Sequence, residues 1–328
     1  VVLDGNDPDA VARAAQALVD GELVAFPTET VYGLGARADD DDAVARIFAA
    51  KGRPADHPLI AHVADVAAAH AFAAEWTPLA EALAGRFWPG PMTLIVGRRP
   101  EIGRAAAGGQ DSIGLRCPAH PVAGALLAEA ARRGVPGVAG PSANAFGRIS
   151  PTTAAHVAAE FGPDLRVLDG GPCTVGIESS IVDCRGADPV LLRPGVLTRA
   201  EIEAAAGRPL VERGDDAPRV SGNLASHYAP RATLRLMPPA LLKTALDVLG
   251  PEAPGVAVYS RSTAPAAANR GGLRWRRMPT RPEQAAQELF SVLRDFDAEG
   301  VRLIWVEEPP STPDWEGVRD RLQRAATP

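Results

Sequence analysis

Two short stretches, far apart in the chain, carry residue types that fit one piece of chemistry. Lys51-Gly52-Arg53-Pro54 sets two cations on either side of a glycine and ends in a helix-stopping proline. Pro141-Ser142-Ala143-Asn144 sets a hydroxyl and a carboxamide two residues apart, and Phe146-Gly147-Arg148-Ile149-Ser150-Pro151-Thr152 follows it. The first stretch supplies positive charge and the second supplies small, adaptable hydrogen-bonding groups. Together they suit a site that grips a polyanion such as a nucleoside triphosphate.

Other chemistries fit less well. The chain has no G-x-x-x-x-G-K-[ST] run, and Gly33-Leu34-Gly35 lacks the third glycine of a dinucleotide fingerprint. Ser142 sits in Gly140-Pro141-Ser142-Ala143-Asn144, which is not the G-x-S-x-G of a serine hydrolase. His57 and His62 flank Leu59-Ile60-Ala61, and as a lone pair they are expected to be structural or surface groups. Gly108-Gly109-Gln110 reads as a flexible loop. Cys117, Cys173 and Cys184 are widely separated, without CxxC spacing, and are expected to be small buried residues in a reducing compartment.

The elements that must position these residues come next. With 328 residues, one large domain or two ordinary ones are expected, and 46% hydrophobic with 23% charged residues is normal for a globular chain. The net charge of -6 gives no global basic field, so any RNA contact would be local. No apolar run reaches the roughly 18 residues that span a bilayer, and the first residues lack a signal pattern. A cytoplasmic location with no membrane partner is expected.

Asp7-Pro8 opens a helix with Val11, Ala14, Ala15 and Leu18 at helical spacing, and Gly21 stops it. Residues 23–26 read as a buried strand and 28–35 as a loop whose glycines permit close backbone approach. A helix over 40–50 delivers Lys51 at its C-terminal end, where the macrodipole favours a cation. Strand-like runs follow at 59–63, 92–96, 113–115, 167–168, 181–182 and 190–192, with helices at 65–73, 78–87 and 121–133. This irregular alternation predicts a mixed α/β sheet folded around a cavity. Composition shifts after about residue 206, and the polar, turn-rich stretch to Pro230 reads as a linker. Beyond it, strands at 233–236, 256–259 and 301–306 alternate with helices at 240–249, 282–296 and 315–323, which suggests a small parallel sheet. Residues 260–272 read as a loop.

Taken together the motifs resemble those of the YrdC/Sua5 family. Lys51-Gly52-Arg53-Pro54 with His57-Pro58-Leu59-Ile60-Ala61-His62 is similar to its Lys-x-Arg segment. Pro27-Thr28-Glu29-Thr30-Val31-Tyr32-Gly33-Leu34-Gly35, Phe87-Trp88-Pro89-Gly90-Pro91-Met92-Thr93, Pro141-Ser142-Ala143-Asn144 and Gly176-Ile177-Glu178-Ser179-Ser180-Ile181-Val182-Asp183 resemble other signatures, in the family's order. His227-Tyr228-Ala229-Pro230 resembles the segment that joins the extra C-terminal domain of Sua5-type members, although Ser221-Gly222-Asn223-Leu224-Ala225-Ser226 departs from the family's pattern. Phe146 stands where a serine is common and Ser180 where a threonine is common.

The resemblance implies a YrdC-like catalytic domain with a mixed twisted sheet around a concave cavity at 1–206. It also implies a linker and lid at 207–230 and a smaller Rossmann-like Sua5-type α/β domain at 231–328. It implies an enzyme forming L-threonylcarbamoyladenylate and pyrophosphate from L-threonine, bicarbonate or CO2, and ATP with Mg²⁺, whose protein ligands stay unassigned. The product would serve tRNA threonylcarbamoyladenosine formation through a separate tRNA-modifying transferase complex. By motif, Lys51, Arg53, Ser142 and Asn144 are the catalytic set. Lys51, Arg53, His57, Ser112, Asn144, Ser150, Arg193 and Tyr228 are matched to ATP, with Tyr228 as the lid residue. Thr30, His62, Arg116, Ser142 and Ser179 are matched to threonine, Arg116 taking its carboxylate. Two alternatives stand beside this: an RNA-binding module, and a carbamoyl-adenylate enzyme acting on another acceptor.

Overall fold

The computed structural model describes residues 1–249, 253, 255–265 and 272–327. It divides into two compact units, Val1–Phe146 with Ser150–Asn223, and Gly147–Ile149 with Leu224–Pro328. In the first unit ten strands form one mixed sheet. In chain order they are β1 (Val2–Asp4), β2 (Val24–Phe26), β3 (Gly33–Arg37), β4 (Ile60–His62), β5 (Met92–Gly97), β6 (Ser112–Arg116), β7 (Val138–Ala139), β8 (Arg166–Asp169), β9 (Ser180–Asp183) and β10 (Val190–Arg193). Across the sheet the order is β1-β8-β2-β3-β7-β4-β6-β5-β9-β10. The helices are α1 (Pro8–Val19), α2 (Asp41–Lys51), α3 (Val66–Ala69), α4 (Pro78–Phe87), α5 (Pro121–Arg132), α6 (Ala154–Phe161) and α7 (Arg199–Ala206).

Both faces of this sheet are covered, because side chains alternate along a strand. On β2, Val24 and Phe26 join a core with Ala14 and Leu18 of α1 and Leu126 of α5. Ala25 between them joins a second core with Ile47 of α2, Leu83 of α4, Leu94 of β5 and Leu115 of β6. Helix starts follow local chemistry: Asp40 caps α2, Thr77 caps α4 with Pro78 in the first turn, and Thr198 with Glu201 forms a capping box on α7. Among the described residues no helix is long and apolar enough to cross a membrane.

Two expectations are corrected. Gly33-Leu34-Gly35 is part of β3 rather than a loop, paired antiparallel with β2. Space, not backbone conformation, requires its second glycine: a Cβ on Gly35 would lie 2.9 Å from both Phe26 and Val138. The helix expected over 65–73 ends at Ala69, because Phe72 turns into the core and Ala73 bridges to Arg98. Helices α6 and α7 lie within no expected element.

The second unit is built, among the described residues, on β11 (Thr233–Met237), β12 (Val256–Ser260), β13 (Arg274–Arg277) and β14 (Leu303–Glu307). All pairs are parallel, in the order β11-β14-β12-β13. Helices α8 (Pro239–Leu249), α9 (Pro282–Ala298) and α10 (Glu316–Ala326) accompany it, with Leu242, Leu246, Val258 and Leu273 in its core. Strand β13 lies within no expected element, and of the loop expected at 260–272, residues 266–271 lie outside the described residues.

The glycines give a paired prediction. Gly35→Ala should lose about 1–3 kcal/mol, because its methyl has no room to enter. Gly85 of α4 has nothing within 4 Å of a built Cβ, so Gly85→Ala should gain about 0.5–1 kcal/mol from helix propensity. Urea unfolding of both variants checks the sign of each.

Candidate functional site

Helix α2 ends on Lys51, and Gly52 caps it in the left-handed region at φ 63°, donating its N–H to Phe48 and Ala49 carbonyls. A side chain other than glycine would be strained there. The cap turns the chain so that Lys51 points inward, where only 4% of it is exposed. Its ammonium donates to the carbonyl of Ser142 at 2.6 Å and to that of Asn144. In return the N–H of Phe146 donates to the Lys51 carbonyl at 2.9 Å. The two stretches that opened the sequence reading are therefore in direct contact. Burial, and then the neighbouring Arg53 charge, pull the Lys51 pKa well below its ordinary value.

Arg53 is fixed on three sides. Its Nη2 donates to the Pro58 carbonyl at 2.8 Å and reaches Ser221 Oγ at 3.4 Å, and its guanidinium lies 5.4 Å from the Phe146 ring centroid. His57 meets the same ring edge-on at 5.3 Å, and burial followed by the Arg53 charge lowers its pKa. Phe146, the departure from the family's common serine, thus serves as a platform between two residues matched to ATP. Arg193, on β10, donates from Nε and Nη2 to the Ser179 carbonyl and from Nη1 to the Ser221 carbonyl at 2.9 Å. Two guanidiniums converge on Ser221.

Ser221 belongs to the linker stretch, and the neighbouring Arg219 and Val220 are seated on the first unit. Gln110 accepts from the Arg219 N–H through Oε1 and donates to the Arg219 carbonyl through Nε2, at 2.9 and 3.1 Å. Val220 packs with Ile95, Ile181 and Leu192. A pocket lies beneath this segment, lined by Pro58, Ile60 and Ser112 among others.

A second cluster surrounds Arg116 at the end of β6. Its Nη2 is 2.6 Å from Glu29, its Nη1 donates to Thr30 Oγ1 at 2.9 Å, and its Nε donates to the Gly90 carbonyl at 3.2 Å. Arg116 and Glu29 are both buried. Glu29 also accepts from the Ala119 N–H at 3.1 Å. His62 is the register partner of Arg116 across β4 and β6. Its Nδ1 is buried without a hydrogen-bond partner. Burial, with the Arg116 charge second, pushes the His62 pKa down to about 3, so the imidazole is neutral. Ser179 shares a 2.8 Å hydrogen bond with Thr93, and Ser150 donates to Glu178.

The first unit therefore brings together Lys51 with Ser142 and Asn144, Arg53 with His57, Arg193 with Ser179, and Arg116 with Thr30. Tyr228 lies in the second unit. There its ring is buried, stacked 5.5 Å from Phe290 and 5.3 Å from the Arg321 guanidinium, with φ at 61°. Sequence reasoning missed Glu29, Thr93, Glu178 and Ser221. Glu29 stood inside a quoted motif, but nothing in that motif ties it to the distant Arg116. The cysteines are buried and unpaired, and burial raises the thiol pKa of Cys117 to about 11 and of Cys173 to about 12. Among the described residues no group of three or more His, Cys, Asp or Glu side chains could hold a metal ion.

Comparison with known proteins matches two family models to the chain. Residues 16–195 match the family model Sua5_yciO_yrdC, described as telomere recombination. Residues 197–327 match Sua5_C, described as threonylcarbamoyl-AMP synthase, C-terminal domain. A threonylcarbamoyl-AMP synthase of Bacillus subtilis is 38% identical over 99% of this chain and 94% of its own length. One of Schizosaccharomyces pombe is 32% identical over 97% of this chain and 88% of its own. A crystal structure of Pyrococcus abyssi Sua5 complexed with L-threonine superposes with a TM-score of 0.88 at 35% identity, covering 99% of this chain and 97% of that one.

Two measurements probe the buried charges. Glu29→Gln leaves the Arg116 guanidinium without its counter-charge and should cost about 3–5 kcal/mol in urea unfolding. Adding Arg116→Met should recover part of that loss, and strict additivity would count against the pairing. For His62, the unfolded chain takes up a proton near pH 6.5 that the folded chain refuses until about pH 3. Its contribution is complete above pH 6.5 and is lost as pH falls, at about 1.4 kcal/mol per pH unit. Stability of His62→Gln should therefore fall less steeply between pH 6.5 and 5 than that of the parent.

Proposed function

Because the chain belongs to the Sua5/YciO/YrdC family, we propose that it is a threonylcarbamoyl-AMP synthase. In this reading it is a nucleotidyltransferase making L-threonylcarbamoyladenylate and pyrophosphate from L-threonine, bicarbonate or CO2, and ATP. The observation that carries the proposal is the convergence of Arg53 and Arg193 on Ser221, with Arg193 also bound to the Ser179 carbonyl. A phosphate oxygen in place of the Ser221 oxygens would meet two fixed guanidiniums, one of them able to bind in bidentate fashion.

The chemistry then needs no protein nucleophile. The threonine nitrogen attacks the carbon of CO2 and loses a proton, forming the carbamate C–N bond. A carbamate oxygen attacks the α-phosphorus in line, the bond to the β-phosphate oxygen breaks, and pyrophosphate leaves. Positioning and electrostatic stabilisation supply the catalysis. Mg²⁺ enters with the triphosphate as part of the substrate and shields its charge. Lys51 acts chiefly by holding Ser142 and Asn144 between nucleotide and amino acid, while Arg53, Arg193, Ser112, Ser150 and His57 face ATP.

Arg116 takes the threonine carboxylate. A guanidinium carries about five N–H donors; Thr30 and Gly90 take two of them, and Glu29 balances the charge at Nη2. The rest suit a carboxylate. Thr30, His62 and Ser179 serve the amino-acid hydroxyl and amine, and the partnerless His62 Nδ1 is one group such a ligand would satisfy. The product is a mixed anhydride, suited to transfer onto an amine of tRNA adenosine by a separate enzyme. The buried thiols suit a cytoplasmic setting.

Pyrophosphate release tests the proposal. It should require L-threonine, bicarbonate and ATP together, and threonine-independent turnover or none would overturn it. Lys51→Met keeps the side-chain bulk but strips two carbonyls of their donor, so stability should fall by about 1–3 kcal/mol per orphaned carbonyl and turnover should collapse. Valine, which lacks the hydroxyl, should be rejected by roughly 10⁴-fold or more in kcat/KM, and serine, lacking only a methyl, by roughly 10–200-fold. Comparable turnover of valine and threonine would remove the hydroxyl-binding pocket from the model.

A further inference from the structure

The second unit holds a built site that the proposed reaction does not use. Strands β12 and β14 are parallel neighbours, paired from Val256 with Leu303 to Tyr259 with Val306. Both chains leave the sheet just beyond, at Ser260 and Glu307. In open α/β sheets this carboxyl edge is where ligands bind.

Here the backbone N–H groups of Arg261, Ser262 and Thr263 all donate to one atom, Glu307 Oε2, at 3.0, 2.9 and 3.1 Å. Ser262 Oγ donates to Oε1 at 2.6 Å, and Arg261 Nη2 lies 3.2 Å from the same oxygen. Successive N–H groups aimed at one point make a concave anion site, the arrangement that cradles phosphates in nucleotide-binding loops. The turn is held from behind. Trp275 Nε1 donates to Ser260 Oγ at 2.9 Å, and the Met278 N–H donates to the Ser260 carbonyl at 2.8 Å. The Arg261 guanidinium rests over the Trp315 ring at 5.7 Å.

Glu307 itself is fully buried, with 0% of its side chain exposed. Burial alone would raise its pKa, but the Ser262 hydroxyl, the N–H donors and Arg261 outweigh burial and hold it below the usual carboxylate range. The donor set also exceeds what one carboxylate satisfies: Arg261 Nη1 is buried with no partner. A loop that merely closed the chain would not need three convergent N–H groups, a hydroxyl and a guanidinium around one anion.

We infer that the 261–263 turn is a binding nest for oxyanions of the carboxylate and phosphate class, and that the chain's own Glu307 is its resident ligand. The carboxyl edge of the second sheet is closed to free oxyanions while Glu307 is in place. Opening it requires only that the carboxylate be removed.

The experiment uses the full chain and follows amide hydrogen exchange of the 261–263 segment, a readout local to the nest and independent of the proposed reaction. In the parent these amides should be protected, and about 10 mM acetate or phosphate should leave them unchanged, because the resident ligand occupies the site. In Glu307→Ala protection should drop by at least about tenfold and be restored by acetate or phosphate, but not by acetamide at matched ionic strength. Glu307→Met should lose protection without restoration, because its side chain fills the space and offers the three N–H groups no oxygen. Parent-like protection in Glu307→Met would overturn the inference, and this holds even if the alanine variant fails to fold. Equal effects of acetate and acetamide on Glu307→Ala would overturn it too, as would a response of the parent's 261–263 amides to phosphate.

Discussion

The contact between the Lys51 ammonium and the carbonyls of Ser142 and Asn144 is the constraint on which the site depends. A buried ammonium is expensive unless its hydrogens are satisfied, and two backbone carbonyls of one loop satisfy it. The requirement runs both ways. The loop after β7 can follow its course only if a cation arrives to receive its carbonyls, and helix α2 can end in the core only if those carbonyls are present. Gly52 makes the arrival possible, since the left-handed turn after Lys51 sends the chain straight on to Arg53 and Pro54. A single cap therefore sets the relative positions of Lys51, Arg53, Ser142, Asn144 and Phe146.

The remaining cations are held by different means, and the difference assigns their work. Arg116 is compensated by the buried carboxylate of Glu29, so its surroundings are close to neutral and suit a zwitterion such as a free amino acid. Arg53 and Arg193 bond to neutral oxygens of Pro58, Ser179 and Ser221. Those oxygens fix the direction of each guanidinium without cancelling its charge. That is the electrostatic requirement for a polyphosphate and for charge that grows on phosphorus oxygens. In the proposed reading, segregating the two kinds of cation would give amino acid and nucleotide unequal fields.

Much of this was legible in the sequence, for identifiable reasons. The motifs could be read because each is a short local run, and the 3.6-residue pattern carried α1, α2, α4 and α5, with Asp7 capping α1. Strand β3 was misread because glycine normally marks loops, whereas here the rings of Phe26 and the methyls of Val138 exclude any side chain from Gly35. Strand β13, Arg274–Arg277, has no apolar alternation to read, being an edge strand with mostly exposed arginines. Helices α6 and α7 did announce themselves, through Thr153 and the Thr198–Glu201 capping box, but each is only 8 residues long, too short for a periodic run to stand out. Glu29 and Ser221 escaped because their meaning lies in residues distant along the chain. No spacing rule connects Glu29 to Arg116.

The two units use one physical device with opposite sign. In the first, a side-chain cation collects backbone carbonyls; in the second, the Glu307 carboxylate collects backbone N–H groups. Both replace water at irregular backbone that no ladder can satisfy. The outcomes differ because of what stands next to each charge. Lys51 has the Arg53 charge beside it, so positive charge is left over for the anion site proposed above. Glu307 neutralises the donors that surround it, so the same economy seals the loop. A fold that needs one reactive cavity gains from this asymmetry: the unit that must bind anions keeps its positive field open, and the unit with a ready-made nest fills it from within.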